Sequence, residues 1–273
     1  FVMDAAPPFA SNMIFDAAFK TGADYGSMGT WSVPMENPAY GLGIENSYTE
    51  PMTKYNFDRH EAWKKQGNMA VICMGIDPGV VNVFAKYAAT ELLDEITEVH
   101  VKDGGNLSVP GADPDDIMFG FNVWTVLDEV MNPNVEYDKD KGGFIVEKAF
   151  AGQEVYEMPE GVGKNTLVKV EHEEVVTMAR YLSQYGIKEG QLSRSALIEN
   201  LITALKVLDK LGLRSIKPVQ VGDVKVVPRD VVAACAPQPK DIGDEMNRKN
   251  AGRSTLCRKE RRKGKRILLV SAI

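Results

Sequence analysis

Two segments of this chain share one grammar: a short apolar run, a turn built on proline or glycine, and a helix-patterned stretch. Phe1-Val2-Met3 runs into Asp4-Ala5-Ala6-Pro7-Pro8, and apolar positions at Phe9, Met13, Phe15, Ala17 and Phe19 follow until Gly22. Met69 to Gly75 (MAVICMG) runs into Ile76-Asp77-Pro78-Gly79 and a second helical stretch to about Leu93. A β-branched apolar run bounded by turn residues reads as a strand buried on both faces. Asp77 before Pro78, and proline in the first turn, are helix start signals. Repeated strand-turn-helix units predict an α/β fold on a parallel sheet. Between the two units lies a long loop, Gly26 to about Asn56, and then a helix from about Asp58 to Gln66 closed by Gly67. Loops of that length are usually functional or disordered, and Trp31, Tyr40, Tyr48 and Tyr55 argue against disorder.

Beyond Asp94 strict alternation stops. Glu98 to Lys102 alternates like a half-exposed strand, two strands are expected around Gly152 between Phe144 and Val155, and another at Leu167 to Val170. Helices are expected at Phe121 to Met131, Val175 to Gln184, Leu197 to Leu211 and Pro228 to Ala236. Glu189 to Ser195 lacks the apolar alternation of a strand between two helices. The pattern predicts part of a doubly wound parallel (Rossmann-type) domain over residues 1–93 and an α+β, mixed-sheet domain over 94–246, with a basic tail at 247–273.

Composition limits the function classes. At 273 residues, 44% hydrophobic and 26% charged, the chain can bury a sizeable core. No apolar run approaches the roughly 20 residues that span a bilayer, and the opening decapeptide carries an acid and two prolines where a signal peptide needs apolar residues. Cys73, Cys235 and Cys257 are an odd number at wide spacing, which suits a reducing cytoplasm better than a disulfide framework. His60, His100 and His172 sit at no metal-ligand spacing, so no metal site is expected. The net charge of −6 is uneven. From Asn247 onward ten Lys or Arg face one acid, Glu260, which leaves 22 basic and 37 acidic groups in the rest. An acidic body repels nucleic acid and membrane surfaces, so nucleic-acid binding would rest on the tail alone.

Several segments have the composition of ligand sites. In open parallel sheets, ligands sit beyond the carboxyl ends of strands, at helix N-termini, and Ala5 to Pro8 and Gly75 to Gly79 both occupy such turns. Any βα turn needs similar residues, and Asp103-Gly104-Gly105-Asn106 suits an ordinary turn equally. His172, next to Glu173 and Glu174, has the chemistry of a general acid or base held by carboxylates, although the same residues suit a solvated helix start. A phosphate-binding loop, a G-x-S-x-G element and a Cys/His nucleophile pair are not found in the sequence.

Taken in order, the Ala-Ala-Pro-Pro turn, Met74 to Asn82 (MGIDPGVVN), the Asp-Gly-Gly turn, Phe119 to Thr125 (FGFNVWT), His-Glu-Glu and Val226 to Asp230 (VVPRD) resemble the saccharopine dehydrogenase family. The G-x-D-P-G-x-x-N element carries most of the resemblance, which covers roughly residues 1–245. It implies an oxidoreductase using NAD or NADP in a cleft between two domains, and hydride transfer at the carbon-nitrogen bond of an amino acid or its imine. Lysine-related substrates, a homodimer and a cytoplasmic setting go with that implication. By the same resemblance Ala5, Ala6, Pro7, Asp77, Pro78, Gly79 and Asn82 lie against the dinucleotide. Asp103, Gly104, Gly105, Phe121, Asn122, Trp124, Thr125 and Glu173 face the substrate, and His172 is the catalytic titrating group. Arg180 and Lys102 are candidates to clamp a substrate carboxylate.

Two departures from the family bear on these expectations. Its opening strand, G-x-G-x-x-G and helix do not precede Phe1, so weak or absent NAD(P) binding is expected of the chain as written. Composition also flips near Met246, which suggests either a reading-frame slip or a basic arm. The alternative function is a non-catalytic binding or dimerisation module.

Overall fold

The computed structural model describes residues 1–105, 113, 115–159, 161–187, 189–196, 199–239, 252–258 and 266–272. The chain opens with β1 (Val2–Asp4), α1 (Pro8–Thr21), β2 (Tyr25–Ser27), β3 (Val33–Pro34), β4 (Tyr48–Glu50), α2 (Lys54–Phe57), α3 (His60–Gln66), β5 (Ala70–Val71) and α4 (Val80–Tyr87). It continues with β6 (Glu98–Asp103), α5 (Val123–Met131), β7 (Asn134–Asp138), β8 (Gly143–Glu147), β9 (Glu154–Met158), β10 (Gly163–Lys169) and α6 (Glu173–Leu182). The last elements are β11 (Glu189–Ala196), α7 (Glu199–Lys210), β12 (Val219–Val221), β13 (Val224–Val226), α8 (Pro228–Cys235), β14 (Gly252–Arg258) and β15 (Arg266–Ala272).

The first unit is a parallel sheet in the order β1-β2-β5. Pro8 starts α1, and Gly22 closes it in the left-handed region at φ 69°, donating to the carbonyls of Ala18 and Phe19. One face of α1 carries Phe15 and Ala18 against Tyr25 and Trp63, with Phe15 and Trp63 ring centres 4.8 Å apart. Tyr25 is buried, and its hydroxyl donates to Asp4 Oδ2 at 2.7 Å, fixing β1 against β2. Tyr25→Phe leaves that acid with one partner fewer, and we expect a loss of about 1–2 kcal/mol, read as a lower urea midpoint; an unchanged midpoint contradicts it.

The second unit is a mixed sheet in the order β15-β14-β6-β11-β10-β9, with β7 joining β11 to β8. Among the described residues the β6–β11 pair of this sheet is parallel and its other pairs are antiparallel. Helix α4 packs on this unit: Val81 and Ala85 share a core with Val99, Val101, Met178, Leu182 and Ile187. Helices α5, α7 and α8 build a second core with Val168 and Val170 of the β10 end. The fold is therefore the expected mixed α/β class with a parallel sheet.

Two local expectations are corrected. Glu189–Ala196 is a strand, β11, and it lies between β6 and β10. Backbone pairing on both sides, with a register shift between Glu189 and Leu192, sets it there where the sequence shows no alternation. The basic segment set apart as a tail supplies β14, which pairs antiparallel with β6, and β15 beyond it; residues 259–265 lie outside the described residues. Among the described residues no helix is long and apolar enough to cross a membrane.

Candidate active site

The site forms where β10 ends. After Lys169 the chain stays extended through His172, whose φ of −155° and ψ of 143° make it the N-cap of α6. The Glu171 amide donates to the Glu129 carbonyl of α5 at 2.9 Å, which fixes this extended stretch against that helix. Glu173 and Glu174 then occupy the first turn of α6, where the helix macrodipole favours acids. From the other side α4 delivers the Gly75–Gly79 turn. Asn82 ties the two helices by donating to Thr177 Oγ1 at 2.8 Å, and its Oδ1 accepts the Gly79 amide at 3.1 Å.

The result is a buried imidazole in a shell of acids. His172 Nδ1 lies 2.7 Å from Glu174 Oε2, 3.7 Å from Asp77 Oδ1 and 4.0 Å from Glu173 Oε2, and Nε2 lies 3.5 Å from Glu129 Oε1. Burial alone would lower the imidazole's pKa. The carboxylates of Glu174 and Asp77, with a hydrogen bond to Glu129, outweigh it and hold His172 well above its ordinary value. The shell therefore favours the charged form of the ring. Glu129, with its side chain 26% exposed against 11% or less for the other members, is the acid that meets solvent.

Donor atoms of Asp77, His172 and Glu174 lie within 4.8 Å of one another, close enough in principle for a metal ion. A ligating histidine would have to be neutral; with no ion among them, these carboxylates form ion pairs with the ring. Sequence spacing gives no hint of it, because Asp77 and His172 come from different units.

A second buried network stands behind the first. Glu171 accepts from Ser32 Oγ and from Asn132 Nδ2 at 2.7 Å. Arg229 of α8 donates to Asn132 Oδ1 at 2.8 Å and pairs with Asp128. Burial pushes the Glu171 carboxyl up to about 8, with its hydrogen bonds to Ser32 and Asn132 opposing. Because the folded value is raised above the unfolded one, the protonated acid is favoured in the fold. Its contribution is full below about pH 4.5 and is lost as pH rises towards 8. Glu171→Gln stays neutral throughout, so its stability relative to the unsubstituted chain should increase between pH 5 and pH 8.5. Urea midpoints at the two pH values check this, and parallel curves would refute it.

The other expected site residues lie in several separate places. Ala5 and Ala6 line a small open pocket with Asp4, Pro8, Ser11, Ser27, Met28 and Gly29, while Pro7 caps α1. Asp77 stands beside His172, and Pro78 and Gly79 form the turn whose Gly75 packs close to Met28. Asp103 ends β6, and Gly104 and Gly105 continue into contact with Asn165, whose Oδ1 accepts the Gly105 amide at 2.9 Å. Asn122 caps α5, accepting from the Thr125 amide at 3.1 Å; Trp124 Nε1 reaches Asp230 Oδ1 at 3.4 Å, and Phe121 is exposed. Thr125 and Glu129 are one turn apart on α5 and so share a face. Lys102 is engaged by Glu154, and Arg180 lies over the Phe57 ring. Glu173 Oε1 accepts the Thr30 amide and, at 3.1 Å, the Thr30 hydroxyl. Glu129, Asn132, Glu171 and Arg229 were not expected from the sequence. The available signal was a pair of acids, Asp128-Glu129, inside the otherwise apolar helix Val123–Met131.

Residues 75–267 match the profile of the saccharopine dehydrogenase C-terminal domain. The match starts at Gly75 and runs beyond residue 245, through most of the basic segment. Carboxynorspermidine synthase of Vibrio cholerae is 24% identical over 247 residues, covering 88% of this chain and 54% of that protein. Carboxyaminopropylagmatine dehydrogenase of Synechocystis sp. is 22% identical over 254 residues, covering 90% of this chain and 56% of that protein. The chain thus spans about half the length of the curated relatives it matches. Among solved structures, homospermidine synthase of Legionella pneumophila in complex with NAD superposes with a TM-score of 0.63 at 13% identity, covering 99% of this chain and 61% of that one.

Proposed function

The chain belongs to the family defined by the saccharopine dehydrogenase C-terminal domain, and on that premise we propose that it forms the catalytic cleft of an NAD(P)-dependent oxidoreductase acting on the carbon-nitrogen bond of an amine or its imine. The observation that carries this reading is the buried His172 imidazole in its shell of carboxylates. A cleft with one cation and the acids Asp77, Glu129, Glu173 and Glu174 has excess negative charge, which favours an ammonium-bearing substrate. The names of the curated relatives, a carboxynorspermidine synthase and a carboxyaminopropylagmatine dehydrogenase, point to the same chemical class, a polyamine carrying a carboxylate. Lysine-derived saccharopine belongs to the same set of candidates.

The pocket at Ala5, Ala6 and Gly29 suits a dinucleotide in three ways. It lies beyond the ends of parallel strands, most of its lining side chains are small, and it adjoins the N-terminus of α1. Ala5, Ala6 and Gly29 would hold a reduced dinucleotide there, and its chemistry would be the supply of a hydride for the imine carbon. The chain's part is to give the imine nitrogen a proton, and His172 Nε2, on the side of the partly exposed Glu129, is the donor. A proton taken up from solvent on the side of Glu129 restores the imidazolium, which the carboxylates stabilise. A raised His172 pKa favours imine reduction near neutral pH, whereas amine oxidation requires the neutral ring. Amine oxidation should therefore climb above pH 7, while imine reduction falls as His172 deprotonates. We also place the division between the two units near Leu93, with α4 as the connector.

Calorimetric titration of the chain with carboxynorspermidine tests the substrate class. Heat of binding that weakens in Glu129→Gln and with added salt is expected; equal affinity for a neutral analogue would argue against it.

A further inference from the structure

Resting on that reading of the cleft, we propose that Glu171 and Glu173 are positioning residues that lace the Thr30–Ser32 segment to the backbone carrying His172, so that one wall of the dinucleotide pocket and the imidazole form a single mechanical piece. Thr30 bonds to Glu173 and Ser32 to Glu171. Residue numbers rise on one side as they fall on the other, so the two segments run antiparallel and are joined side chain to segment on either side of His172. The same strip, two residues earlier, is the pocket wall: Ser27, Met28 and Gly29 line it.

The lace is anchored from behind and tightly fitted in front. Asn132 holds the second oxygen of Glu171, and Arg229 holds Asn132, so Glu171 is fixed to α8. At Gly29 a Cβ would stand 3.2 Å from Glu173 Oε1, closer than ordinary contact, so glycine lets the strip approach the acid. Glu173 Oε1 is occupied by two donors from Thr30. This gives Glu173 a different job from the substrate contact expected from the sequence: it sets the spacing between pocket and imidazole, on which a reaction between two bound partners depends.

The experiment reads His172 directly. The chain has three histidines, so imidazole proton–carbon NMR gives three signals, and His172→Gln identifies the one of interest. In the ligand-free chain the double variant T30V/S32A, which changes nothing bonded to His172, should displace the His172 signal while those of His60 and His100 stay in place. Restoring hydroxyls in the exchanged pair T30S/S32T should return it. Gly29→Ala, which removes no hydrogen bond but crowds Glu173, should displace the same signal and serves if the double variant does not fold. A His172 signal that superposes on the wild type in both variants overturns the proposal. NADH added to the unsubstituted chain should also move the His172 signal. A chain that ignores NADH yet responds to the lace variants keeps the lace and rejects the dinucleotide reading.

Discussion

Replacing His172 by glutamine will lower hydride transfer between dinucleotide and amine by roughly 10²–10⁴-fold, the usual worth of a positioned acid or base. Glutamine keeps the approximate size and a hydrogen-bonding end but carries no charge and transfers no proton. Binding of a cationic substrate should survive, because Asp77, Glu129 and Glu174 lose their internal counter-ion and turn towards the ligand's own charge. The loss should therefore appear in kcat with little rise in KM. A loss confined to KM would mean that His172 only shapes the site. The pH profile gives an independent check, because the arm due to imidazolium loss in the reductive direction should vanish in the variant.

Gly79→Ala should be the most damaging single change to the fold near the site. Gly79 holds φ 134°, a region that L side chains rarely adopt, and a Cβ there would lie 2.2 Å from the Gly75 carbonyl oxygen and 2.7 Å from its nitrogen. Those atoms are backbone, and the same Gly75 carbonyl accepts the Val80 amide at 3.0 Å, so the turn cannot yield without losing the start of α4. Strain at such a φ and overpacking together cost about 3–6 kcal/mol, a large fraction of a typical domain's stability. Because α4 delivers Asp77 to His172, the damage reaches the cluster as well. Gly105→Ala is the control: no atom of the described residues lies within 4 Å of its added Cβ, and a change within about 0.5 kcal/mol is expected. Urea unfolding of both variants followed by circular dichroism checks the contrast, and equal midpoints would contradict it.

What the sequence made legible follows from how local each signal is. Helix α1 was readable from Pro8 to Gly22 because its start and stop are chemical, a proline and a left-handed glycine. The turn at Ala5 and Ala6 was expected as a ligand position because it follows a parallel strand, and the fold sets it on a pocket there. The strands β2, β3 and β4 were hidden in the segment from Gly26 to Asn56 because two or three residues carry no period. Strand β11 was hidden because sheet partners, and not alternation, define it. In the site, His172 and its neighbours Glu173 and Glu174 were visible as a run. Glu129, Asn132 and Arg229 were not, since each acquires its meaning only when α5, β10 and α8 pack together. Asp77 was expected beside the dinucleotide, and its 3.7 Å approach to His172 joins that turn to the imidazole.

The most direct test of the central claim follows dinucleotide reduction at pH 9 with carboxynorspermidine, carboxyaminopropylagmatine and saccharopine, each with NAD and NADP, for the unsubstituted chain and His172→Gln. The account predicts growth of reduced dinucleotide with at least one of these carboxylated amines, faster at pH 9 than at pH 7 and almost abolished in the variant. Turnover that is the same in His172→Gln would contradict the assignment of carbon-nitrogen oxidoreductase chemistry to this cluster.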